Sequence, residues 1–242
     1  MEVHAPEHGI HSWRDFFVHM GTICLGLLIA LGLEQAAEAV HHAHQRTELR
    51  EALNADSRQA IIDAKRSERF SDEVITWLVM RIGQVRTAIA TKGTIPKLAP
   101  PHFDDFDVVI DPSFQAAKSS GLLALLPQQE IIAYSEADGI IANVDTSYVR
   151  LGEARTNLQQ FIFRFRSADG TPDYSHATPE EQQRYLELLI GQLSGQVNFR
   201  FYNTIVVGIE TALLHGERDL PALQKAERDP QSVAPGVGLR RM

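Results

Sequence analysis

Between Phe16 and Leu33 the chain runs eighteen residues, FFVHMGTICLGLLIALGL, in which only His19 can take a charge. At about 1.5 Å per residue, a helix of this length is roughly 27 Å long, enough to cross a bilayer's hydrocarbon core. Trp13, Phe16 and Phe17 gather at its start, and aromatic rings favour the membrane–water interface. Residues 13–33 are therefore read as a transmembrane helix, with Ser12 as its cap, Asp15 in its first turn and residues 1–12 as a flexible lead. Two other readings compete. A secretory signal peptide is one, since Ala37-Glu38-Ala39 fits the A-x-A cleavage pattern; a buried helix of a soluble core is the other. The run exceeds a usual signal h-region, and Arg14 is the one firm positive charge before it, so a retained span is preferred.

From Glu34 no glycine or proline occurs until Gly83, so the membrane helix is expected to continue outward as a helix over about 34–92. Phe70, Val74, Leu78, Ile82, Val85 and Ile89 recur at helical spacing and mark its core face. Gly93 and Pro96 end it. A proline-rich connection over 93–112 leads to a short helix over 113–126 that stops at Pro127. The third helix, 129–167, has the clearest period. Ala137, Ile141, Val144, Tyr148, Leu151, Arg155, Leu158, Ile162 and Phe165 alternate steps of four and three, an a/d seam that Arg155 alone interrupts.

The last helix, 179–215, opens on Thr178-Pro179-Glu180-Glu181, an N-cap with proline at the first helical position and Glu181 placed for a capping box. Leu186, Ile190, Leu193, Val197, Phe201, Ile205, Gly208 and Ala212 are read as its core stripe. Residues 217–242, rich in proline and weak in apolar pattern, read as a disordered tail. The expected fold is all-α: one N-terminal transmembrane helix continuing into an elongated antiparallel helical bundle over 34–216.

Composition narrows the partners. Apolar content of 44% and charged content of 22% are those of a folded protein, not a disordered one. A net charge of −8 argues against nucleic acid, which needs a basic stripe to displace counterions. The single cysteine, Cys24, lies inside the apolar run and can form no intrachain disulfide. The expected partners are the lipid bilayer and either a second copy of the chain or another membrane protein. Thr22, Gly26 and Ala30, four residues apart, form a small-residue stripe that lets two spans approach closely, although such residues are also common in single spans. Counted close to the span, Arg14 places the N-terminus in the cytoplasm and the bundle on the periplasmic or extracytoplasmic side of an inner membrane. Arg46 and Arg50, counted further out, reverse that sum.

Two stretches resemble a known pattern. GLLIALGLEQAAEAVHH at 26–42 and FQAAKSSGLLAL at 114–125 are similar to segments of a family of uncharacterised bacterial single-span proteins. In that family an anchor of this type leads into a charged helical stalk, and a K-[ST]-[ST]-G patch follows an aromatic residue. This chain has Gln35-Ala36-Ala37 where an aromatic often follows the acidic residue, and it adds histidines after Val40. The resemblance implies a fold and a location, with no activity and no catalytic residues.

The candidate chemistry is sparse. No nucleophile elbow, P-loop, dinucleotide fingerprint, H-E-x-x-H or C-x-x-C motif is present, and neither a catalytic residue nor a cofactor is expected. Glu38, His41 and His44 sit at the exit of the apolar run and are candidate zinc or copper ligands, alone or with a partner chain. The alternatives there are a solvated interfacial stretch and a histidine pH switch. Lys118, Ser119 and Ser120, with Arg155, are candidate contacts for a small anionic ligand; a helix-packing point at Gly121 is the plainer reading. Arg155 would be costly in an apolar seam unless paired or placed at a rim. The leading functional reading is a membrane-anchored interaction, scaffold or sensor-like protein that self-associates. A metal-binding membrane protein and a small-ligand-binding extracytoplasmic domain are the alternatives.

Overall fold

The computed structural model describes residues 13–98, 108–168 and 170–234. They form five α-helices: α1 (Trp13–Thr91), α2 (Pro112–Ser120), α3 (Gln128–Phe163), α4 (Pro179–Leu214) and α5 (Leu220–Arg228), with 3-10 turns at Leu122–Leu125 and Pro230–Ser232. Among the described residues there is no strand, and one bridge pairs Arg166 with Pro172. The expected all-α class holds. The chain divides into two units, 1–48 and 49–242.

The first unit contains the apolar part of α1. This is the one helix among the described residues long and apolar enough to cross a membrane, and none of its apolar window is buried within the protein. Its length and composition make it a candidate membrane span.

In the second unit, α4 runs antiparallel to both α1 and α3. Arg81 meets Tyr185, Ser71 meets Gln196 and Glu68 meets Thr204 across α1 and α4. Tyr148 lies against Phe199 and Phe161 against Tyr185 across α3 and α4. The helices α1 and α3 therefore share a direction, and the chain between them returns to the level of Asp56, where α2 begins. The expected short helix stops early, because Gly121 turns left-handed (φ +79°), a conformation that costs glycine little. The helix α3 likewise ends at Phe163, four residues before the expected boundary.

Two expectations fail. Residues 217–242 are not all tail: α5 buries Leu223 and Ala226 against the bundle, while 235–242 lie outside the described residues. The core face of α4 is also not the expected stripe. Its inward seam is Tyr185, Leu189, Gln192, Gln196, Phe199, Asn203, Val206, Glu210 and Leu213, again in steps of four and three. Ile190, Val197 and Phe201 of the expected stripe face outward, 42%, 38% and 46% exposed. Leu186, Ile205, Gly208 and Ala212 of that stripe are buried. Gly208 passes so close to α5 that a Cβ there would stand 2.8 Å from the Ala226 carbonyl oxygen.

The core is split. One apolar cluster joins Leu49–Ala64 of α1 to α2, α3 and the later half of α4, and a second joins Val74–Ala88 to Leu158, Phe161, Tyr174 and Tyr185. Between them α1 buries Ser67, Glu68 and Ser71, and α4 answers with Gln196, Arg200, Asn203 and Thr204.

Candidate functional site

The residues singled out in the sequence do not converge on one site. In the first unit, Thr22, Gly26 and Ala30 are exposed, the Thr22 hydroxyl donates to the Val18 carbonyl at 2.9 Å, and a Cβ on Gly26 would touch nothing. The stripe is thus open to an approaching helix. Glu38 faces His42 at 4.0 Å, and His44 faces Glu48 at 3.1 Å, each one helical turn apart. Glu38, His41 and His44 are therefore not brought together, and no group of three metal-ligating side chains is assembled among the described residues.

In the second unit, Ser119 and Ser120 both donate to the Ala116 carbonyl, at 3.0 and 2.8 Å. This back-bonding occupies hydroxyls that a ligand would need. Lys118 reaches Asp138 on α3 at 3.3 Å and lies over the Phe114 ring. Arg155 is half-buried on α3, seventeen residues beyond Asp138, which is about 25 Å along a helix. Lys118 and Arg155 do not share a pocket.

What the fold does assemble is a carboxylate-lined cavity under α2. It has a volume of about 20 Å³ and is lined by Asp56 and Ser57 of α1, Asp111, Phe114 of α2, Tyr134 of α3 and Glu210 of α4. That is room for one water-sized particle. Asp56 Oδ2 accepts from the Ser113 backbone N–H at 2.7 Å, so α2 is capped from a different helix while its own cap residue, Asp111, makes no capping bond. Gln115 Nε2 bridges Asp138 at 2.6 Å and Asp111 at 3.3 Å. Burial pushes the Glu210 carboxyl up to about 7, against a weaker hydrogen bond from Ser57 and with Asp111 and Asp56 adding to the rise. Burial also pushes Asp111 up to about 6, with Asp138 contributing. Among the described residues no ion pair reaches Asp56, Asp111 or Glu210.

The polar layer between the two apolar clusters is bonded across α1 and α4. Thr204 donates to Glu68, whose carboxyl is raised by burial, and Gln196 donates to Ser71 at 2.8 Å. Further along, Arg81 is fully buried. Its Nη1 donates to the Pro96 carbonyl at 2.7 Å and to Gln84 at 2.9 Å, its Nε to the Tyr185 hydroxyl at 3.2 Å, and the rings of Tyr174 and Tyr185 flank it.

The remaining feature is the outward face of α4. From Leu188 to Phe199 the chain carries no charged side chain; Gln192 and Gln196 turn inward, and Ile190 and Val197 turn out. A solvated helix face ordinarily does the reverse.

No protein-family model, no curated protein and no solved structure matches this chain.

Proposed function

We propose that this protein is a membrane-anchored helical scaffold or sensor-like protein that self-associates through the outward face of α4. The observation that carries the reading is the inversion of α4, with glutamines inside and Ile190, Val197 and Phe201 outside. An apolar, uncharged helix face is best complemented by another such face, and a second copy of the chain brings one. A few side chains over three turns cover only a few hundred Å², short of the roughly 800 Å² per partner of a stable interface. Tethering to one membrane by the 16–33 run raises the local concentration and makes a weak contact sufficient. The small-residue stripe at Thr22, Gly26 and Ala30 supports the same association within the bilayer. The charge next to the span favours an inner-membrane protein with a cytoplasmic N-terminus and an extracytoplasmic bundle.

The test uses the full chain in membranes, with Cys24→Ser and a reporter cysteine at Ser194. Disulfide cross-linking between copies is expected; Val197→Asp with Phe201→Asp should abolish it, while Gly26→Leu reports on the span separately. A monomer by cross-linking and by light scattering in detergent would overturn the reading.

A further inference from the structure

We propose that α2 and its flanking turns, residues 108–126, form a proton-operated latch that closes over the cavity lined by Asp56, Asp111 and Glu210 and opens when Asp111 and Glu210 lose their protons.

The geometry supplies the parts. The latch is held by few buried apolar side chains, chiefly Val109, Phe114, Ala117 and Leu126. Its first turn is capped by Asp56 from α1, and its polar tethers to α3 are Gln115 and Lys118 on Asp138. Three carboxylates from three places in the chain line one small pocket with room for a single water. Glu210 lines that space, is 4% exposed and has no cation partner among the described residues.

Every neighbouring element contributes a group to the balance. From α1 come Asp56 and the Ser57 hydroxyl. Asp111 comes from the approach to α2, and Lys118, the nearest cation on α2, is engaged with Asp138 of α3. Also on α3, Tyr134 stays neutral because burial raises it, and its hydroxyl accepts from Arg218 at 3.2 Å. Glu130, one turn earlier, is already held by both nitrogens of an Arg50 fork. The helix α5 presents Leu223 and Ala226 to the bundle, and these carry no charge. Among the described residues no ion pair reaches Asp56, Asp111 or Glu210, and Arg218 is bonded to the Tyr134 hydroxyl and the Leu213 carbonyl.

The sign follows from the raised carboxyls. Glu210 at about 7 and Asp111 at about 6 hold protons in the folded protein that a free carboxylate would have released below pH 5. Toward pH 5 Asp111 and Glu210 are mostly protonated, and the latch is shut. As pH rises through 6 and 7, Asp111 and then Glu210 ionise, and like charges in a partly desolvated space repel. The cheapest relief is to move the segment that brings Asp111 in, because four buried apolar side chains anchor it, far fewer than anchor α1, α3 or α4.

The test is hydrogen–deuterium exchange on the full chain in nanodiscs, from pH 5.5 to 8.5, corrected for the intrinsic pH dependence of exchange. Peptides covering 108–126 are expected to lose protection about tenfold or more between the extremes, with a midpoint between 6 and 7, while α3 and α4 stay protected. Asp111→Asn with Glu210→Gln should leave the latch protected at both ends of the range. Asp111→Asn alone, at a half-buried position that tolerates an amide, should cut the loss at least severalfold even if the double variant does not fold. A latch whose protection is flat with pH in the unmodified protein, or equally pH-dependent in Asp111→Asn, overturns the proposal.

Discussion

Arg200 of α4 forks onto Asp72 of α1, its Nε 2.6 Å from Oδ1 and its Nη2 3.4 Å from Oδ2, and the two partners are unequally buried: 7% and 51% exposed. The bridge therefore straddles the edge of the polar layer, with the cation inside and the anion half in water.

That asymmetry predicts unequal mutants. Asp72→Ala removes the forked carboxylate from a buried guanidinium and is expected to cost about 2–3 kcal/mol, because breaking one side of a buried charge pair is the expensive outcome. Arg200→Met keeps the apolar stem and leaves Asp72 hydrated, so it should cost about 1 kcal/mol or less. Urea denaturation of both variants decides it; equal costs, or the reverse order, would contradict the asymmetry.

Arg81 is the second buried cation and is bonded through Nε and Nη1, with no carboxylate partner among the described residues. Tyr185→Phe removes one acceptor and should cost about 1–2 kcal/mol. In an Arg81→Met background the same change should cost under about 0.5 kcal/mol, since the donor it left unpaired is gone. Arg81→Met should also release the Pro96 carbonyl, seen as faster limited proteolysis within 92–98. A double-mutant cycle by thermal unfolding measures the coupling.

Gly208 is where α4 and α5 touch. A Cβ there would lie 2.8 Å from the Ala226 carbonyl oxygen and 3.0 Å from the Pro230 Cβ, and neither is the far end of a flexible side chain. Gly208→Ala is expected to push α5 off the bundle at about 1–3 kcal/mol and to speed tryptic cleavage after Lys225. An α5 as resistant to trypsin as in the parent protein would mean that the contact is not tight.

Thr178 closes the capping box of α4: its hydroxyl accepts from the Glu181 N–H at 3.2 Å, and its own N–H donates to the Glu181 carboxylate at 3.0 Å. Thr178→Ala should cost about 1 kcal/mol, and Thr178→Ser should recover most of it. Thermal melts of the pair check the cap, and an alanine variant as stable as the parent would remove it from the account.

This capping box was legible in four consecutive residues because a cap is local chemistry. The a/d seam of α3 was legible too: Ala137, Ile141, Val144, Leu151 and Leu158 are all buried as its spacing predicts. In α4 the same rule misled at Ile190, Val197 and Phe201, because a second seam one to two residues earlier carries nearly the same period. The apolar one looked like the core, yet the chosen one holds Gln192, Gln196, Asn203 and Glu210. Gln196 is tolerable inside because Ser71 of α1 accepts from it, and Glu210 because Ser57 of α1 bonds it. Likewise α5 gave little signal, since its burial depends on a glycine twelve residues upstream of its first residue.

The sequence by itself determined the apolar run at 16–33, the helical class, most helix boundaries and the α4 cap, because bilayer thickness, helical period and capping act over a few turns of one segment. Only the tertiary structure decided which face of α4 points inward, that the core is cut by a polar layer, and that Asp56, Asp111 and Glu210 share one cavity. Those three carboxylates are separated by 55 and 99 residues of chain. The cost of burying such groups is settled by the neighbours that packing supplies, which no local pattern encodes.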